Sequence, residues 1–105
     1  MAKPRSVVHS LLQSLTDYGN RIYFNPPETI KMQYPCIVYH RQNLARRNAN
    51  NKAYIRYDEY SVTHIYTKES EHNVSEILAE SDGFEYDRNF YADNLNHDVF
   101  TLRIY

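Results

Sequence analysis

The chain has 105 residues, of which 42% are hydrophobic, 24% charged and 14% aromatic, with one cysteine and a net charge of −1. That length holds one hydrophobic core and hence one domain, residues 1–105, and the aromatic content excludes a disordered chain. A lone cysteine excludes an intrachain disulfide, and no stretch approaches the roughly 18–20 apolar residues that span a bilayer.

Met1-Ala2-Lys3-Pro4-Arg5 leads into an amphipathic stretch and not into an apolar signal-peptide core, so a soluble protein made in the cytoplasm is expected. From Ser6 to Tyr18, Val8, Leu11, Leu12, Leu15 and Tyr18 recur at spacings of three and four, which predicts a helix with one apolar stripe. Gly19-Asn20 offers a left-handed stop. Arg21 to Phe24 reads as a short strand, ended by Asn25-Pro26-Pro27.

Tyr34 to His40 is the most apolar run and reads as a central strand covered on both faces. The polar segment from Gln42 to Lys52 reads as a long exposed loop, and Ala53 to Thr67 as a second long strand with a bulge near Asp58-Glu59. Asn73-Val74-Ser75-Glu76 has the form of a capping box opening a short helix in which Val74, Ile77 and Leu78 face inward, stopped at Asp82-Gly83. Phe84–Tyr91 and Asp98–Tyr105 then read as an antiparallel pair turned at Asn94 to His97, with Phe100, Leu102 and Ile104 on one face. The expected fold class is α+β, a single domain with a mostly antiparallel or mixed sheet of about four to five strands packed by two helices.

Motifs for catalysis are absent from the text. Cys36 and His40 sit about 13 Å apart along a strand, too far for a thiolate–imidazole pair, and Cys36 reads as a small core residue. The five histidines lack metal-ligand spacing, the acids at Asp58-Glu59 and from Glu69 to Asp87 read as a solvated face, and two isolated glycines build no phosphate loop. No catalytic residue, cofactor or metal is assigned.

Charge is unevenly placed. Residues 1–52 hold eight Lys/Arg against two Asp/Glu, a balance of +6, whereas residues 53–105 hold four against eleven, a balance of −7. Such polarity suits nucleic-acid contact by one half or head-to-tail association of copies. Arg41, Arg46, Arg47 and Lys52 are the candidate partner contacts, toward phosphates or toward an acidic protein surface.

The order of elements, with the run Tyr34-Pro35-Cys36-Ile37-Val38-Tyr39, the tyrosine-rich strand Tyr57 to Tyr66, the helix Asn73 to Glu80 and the closing Val99-Phe100-Thr101-Leu102-Arg103 strand, resembles the tail terminator or tail-completion proteins of long-tailed bacteriophages and prophages. The likeness covers about residues 5–105. It implies a structural virion protein of the tail, not an enzyme. Such a protein forms a homo-oligomeric ring, a hexamer in the virion, from subunits that can be monomeric when free. The ring ends tail-tube polymerisation and forms the head-docking surface. The implied partners are copies of itself, the tail-tube protein and a head-completion or connector protein, with DNA only passing through the ring and no membrane. The polar segment after the central strand corresponds to a mobile loop of such proteins. Two other readings fit the same text, a head–tail connector subunit and a small nucleic-acid-binding module that uses the basic segment.

Overall fold

The structure is a computed structural model that describes residues 5–27, 29–49, 53–68 and 72–104. Its elements run α1 (Arg5–Leu15), a 3-10 turn (Gly19–Arg21), β1 (Ile22–Phe24), β2 (Cys36–Ala49), β3 (Ala53–Tyr66), α2 (Asn73–Glu80), β4 (Phe84–Ala92) and β5 (Leu95–Ile104). One five-stranded sheet has the order β1-β2-β3-β5-β4, with β1 parallel to β2 and every other pair antiparallel. Two helices on a five-stranded mixed sheet make the fold α+β.

Alternation along the strands decides which face is covered. Ile37 and Tyr39 of β2, Tyr60 and Val62 of β3, and Phe100 and Leu102 of β5 share one face, and all are at most 1% exposed. Val8 and Leu12 of α1 and Leu78 of α2 pack into that same cluster, so both helices lie on one side of the sheet. The other face is lined by Cys36, Ile65 and Val99, which are buried, and by the half-buried Val38, Thr63 and Thr101. The expectation of a strand covered on both faces therefore holds at Cys36 and Ile37, while His40 is exposed.

Several local expectations shift. Helix α1 stops at Leu15, and Gly19 takes φ +57° to enter the 3-10 turn. The bulge lies in β2 and not at Asp58-Glu59: the register steps from Arg41–Tyr60 to Asn43–Glu59, leaving Gln42 as the extra residue while β3 keeps unbroken pairing with β5. The final hairpin turns at Asp93-Asn94, both at positive φ (53° and 62°), a two-residue turn whose twist matches the strands. The capping box does not form. His72 occupies the N-cap without a side-chain cap bond, Asn73 is already helical, and Ser75 is turned into the core. Ile77 is 43% exposed, so α2 buries Ser75 and Leu78 with Val74 half-buried, and of the expected trio Ile77 alone faces out.

The largest departure concerns residues 42–49. The expected loop is strand: β2 and β3 pair from Cys36–Ile65 out to Ala49–Ala53. Beyond the Asp58–Ile104 rung β3 has no partner in β5, and β1 pairs with β2 only at Ile37 to Tyr39. Among the described residues, Asn43–Ala49 and Ala53–Tyr57 thus form a two-stranded arm joined to nothing else. Its seven outer residues span about 23 Å at a strand rise near 3.3 Å, within a molecule whose extents are 48 × 25 × 24 Å. A polar ribbon satisfies its backbone by pairing with itself and needs no apolar face, so composition alone reads it as loop.

Candidate functional site

Three of the four candidate contacts lie on the arm or at its root, and Lys52 falls outside the described residues. Register places Arg46 across from Arg56 and Arg47 across from Ile55. Arg41 sits at the root, where its Nη2 donates to Tyr60 Oη at 2.9 Å and its guanidinium lies 5.4 Å from the ring centre. The hydrogen bond to Tyr60, helped by the charge of Asp58, raises the Arg41 pKa further above its ordinary value. From 41 to 57 the sequence carries five cations and no acid. The arm is a basic projection.

Asp58 ends that basic stretch. It was expected in a solvated acidic pair, yet it is 0% exposed and neither carboxylate oxygen has a hydrogen-bond partner. Its strand phase matches Tyr60 and Val62, which turns it toward the helix side. A buried carboxylate without hydrogen bonds is costly, and among the described residues Arg41 lies within electrostatic reach. Glu59, on the opposite phase, pairs with Arg103 Nε at 3.2 Å.

A second constellation lies at the other end of the sheet. Asp98, 2% exposed, accepts from Ser75 Oγ at 2.5 Å, Tyr66 Oη at 3.0 Å and Asn89 Nδ2 at 2.6 Å. Because Ser75 gives its proton to Asp98, its Oγ accepts from His64 Nδ1–H at 2.8 Å, and His64 Nε2 accepts from Tyr18 Oη at 2.6 Å. Tyr66 likewise gives its proton to Asp98 and accepts from His72 Nδ1 at 3.0 Å. Burial pushes the Asp98 carboxyl up, but the bonds from Ser75, Asn89 and Tyr66 and the charge at His72 outweigh it and hold the pKa below the usual aspartate value. The chain of bonds ties α2, β3, β4, β5 and the segment after α1 together.

Serine, histidine and carboxylate meet here, but in the wrong order for a nucleophile. In acyl-transfer sites the imidazole stands between hydroxyl and carboxylate and takes the hydroxyl proton. Here the hydroxyl stands in the middle and its proton points at Asp98. The arrangement orders hydrogen-bonding groups around a buried carboxylate, which suits fold specificity more than bond-making. A cavity of about 290 Å³ opens beside it, with Asp98 and Phe100 in its lining together with Tyr86, Ala79, Glu76 and His72. Among the described residues no group of three or more His, Cys, Asp or Glu side chains is placed to hold a metal ion.

Sequence reasoning passed over Asp98, Ser75 and His64. A signal existed: His64 keeps the phase of Tyr60 and Val62, Asp98 that of Phe100 and Leu102, and Ser75 lies three residues before Leu78. A polar side chain in an apolar phase must find a partner inside. The remaining histidines disperse, His9 to Tyr39 Oη at 2.8 Å and His97 stacked on Phe90 at 4.4 Å. Cys36 is fully buried, and burial pushes its thiol up to about 12 against the opposing pull of Arg21.

Four buried tyrosines, Tyr18, Tyr39, Tyr60 and Tyr66, all have bonded hydroxyls, so part of the tyrosine content serves the core. Others face solvent, among them Tyr86 at 52% and Tyr91 at 64% exposure on the edge strand β4. Among the described residues no helix is long and apolar enough to cross a membrane. Compared with known proteins, the chain matches no family model and no curated protein.

Proposed function

We propose that this protein is a structural subunit that assembles into a ring, in the manner of the phage tail terminators its element order resembles. In that role it sits in the virion at the head-proximal end of the tail, ends tube polymerisation and presents the surface to which the head docks. The observation that carries the reading is the two-stranded arm. An isolated hairpin is marginally stable in water, and this one extends past the last rung shared with β5. Its free edges and its positive charge gain partners on assembly. The opposed charge balances of the two halves favour contacts between unlike surfaces of successive copies, the kind that closes into rings. No catalytic step belongs to this role.

Light scattering across concentration, followed by negative-stain imaging with and without purified tail tubes, tests it. A closed ring of fixed copy number, free or seated on a tube end, is the expected result. A chain that stays monomeric at every concentration and leaves tubes uncapped refutes it. A head–tail connector subunit would form a ring by the same physics but seat on the head vertex instead of the tube.

The basic arm also favours a second reading, a nucleic-acid-binding module. Five cations on phosphates would give duplex-DNA affinity that falls with salt at a log–log slope of about −4 to −5. Binding with that slope, lost in Arg46→Ala/Arg47→Ala, would support the module over the ring.

A further inference from the structure

Resting on the ring reading, the surface that receives the arm can be identified from charge and exposure. Between residues 69 and 93 the sequence holds eight acids and one cation. Two of those acids are already matched, Glu85 by Arg103 at 3.3 Å and Asp87 by Arg88 at 3.1 Å. Glu76 and Glu80, one turn apart on the outer side of α2, and Asp82 just after it are exposed and make no ion pair among the described residues. Like charges four apart on a helix repel when nothing lies over them. Beside them stand the exposed Ile77 and Tyr86, and the cavity bordered by Glu76, Tyr86 and Asp98 opens next to them.

We propose that the arm of one copy docks on the α2–β4 side of the next, its arginines against Glu76, Glu80 and Asp82 and the aromatic wall at Tyr86. Glu80 and Asp82 lie toward the root of the arm, where Gly83 O accepts from Arg103 N at 2.9 Å and Arg103 stands across from Glu59, and the arm runs outward from that end. The β2–β3 register carries the arm along the strand axis, away from the body. The contact is also one of side chains and not of sheet edges, because β4 carries a register break between Tyr86 and Arg88 that spoils it as a flat template. Arm and receiver are different surfaces, so each copy offers one of each and the contact propagates head to tail until it closes.

Charge reversal tests the contact. Arg46→Glu/Arg47→Glu sets acids on the arm against the acids of the receiver, and Glu76→Lys/Glu80→Lys sets cations on the receiver against those of the arm. Each variant alone, with its circular dichroism unchanged, is expected to self-associate at least about tenfold more weakly in sedimentation velocity at low salt. Mixed in equal amounts, the two variants set unlike charges against each other at the reversed positions of an alternating ring, and association should return to within about threefold of the unaltered chain. A chain carrying all four substitutions should recover likewise. As a measurement independent of charge, copies with Asn48→Cys and copies with Glu80→Cys should be joined to one another by a short bifunctional maleimide.

Rings that persist unaltered in both reversals, or a mixture that does not recover, overturn this contact and leave the ring reading standing. Reversals that abolish duplex-DNA binding but not self-association overturn it in favour of the nucleic-acid module. If the unaltered chain never associates, both the contact and the ring reading fall.

Discussion

Replacing Ser75 by alanine removes one hydroxyl from a 4%-exposed position and breaks two hydrogen bonds at once. Asp98 loses the donor at 2.5 Å, and the His64 Nδ1–H, 2.8 Å from Ser75 Oγ, faces a methyl group inside the core. A buried donor left unsatisfied costs about 1–3 kcal/mol, and a hydrogen bond to a charged group is worth about 1.5–3 kcal/mol. The two overlap through the shared oxygen, so the expected loss is about 3 kcal/mol. For a domain of this size that lowers Tm by about 12–20 °C and takes a large part of a total stability near 5–15 kcal/mol. Urea unfolding followed by circular dichroism measures it, with Glu76→Ala on the exposed side of the same helix as a control expected within about 0.5 kcal/mol. If Ser75→Ala also stays within that margin, the bonded chain from Tyr18 to Asp98 is not what fixes α2 to the sheet.

Asp98 makes the same network pH-dependent. Its folded pKa lies below the ordinary aspartate value, so its contribution is fully present above about pH 4 and is lost as pH falls through the folded value. Asp98→Asn should therefore flatten the acid side of the stability–pH curve; an unchanged acid limb would refute the assignment. Gly83→Ala should destabilise well beyond Gly19→Ala, by about 2 kcal/mol or more against about 1. Both glycines have positive φ, but an added Cβ at Gly83 would stand 2.9 Å from the Arg103 carbonyl oxygen while Gly19 faces open space. Equal Tm losses would contradict that packing.

How far the sequence reveals this molecule depends on whether a segment meets the core. Phe100 and Leu102 alternate with Thr101 and Arg103, and the strand lies as that phase demands. The stripe of α1 and the Gly19 turn were legible for the same reason. The arm was not. A ribbon with no core to face carries no alternation, and polar, repetitive text is then indistinguishable from a loop. The capping box misled because Asn73 and Glu76 have the right spacing, while Ser75 between them was claimed by Asp98, a residue 23 positions away. The basic candidates Arg41, Arg46 and Arg47 were legible as a charge cluster. That they stand on a two-stranded projection, and that the acids closing α2 lie toward its root, emerges only from strand pairing.

Sedimentation velocity over a wide concentration range at low salt, with imaging of any assembled species, tests the central claim most directly. The account predicts a reversible passage from monomer to one closed ring, weakened by salt and by reversing the arm's charge. A single monomeric boundary throughout, or open aggregates of no fixed size indifferent to the arm, would contradict it.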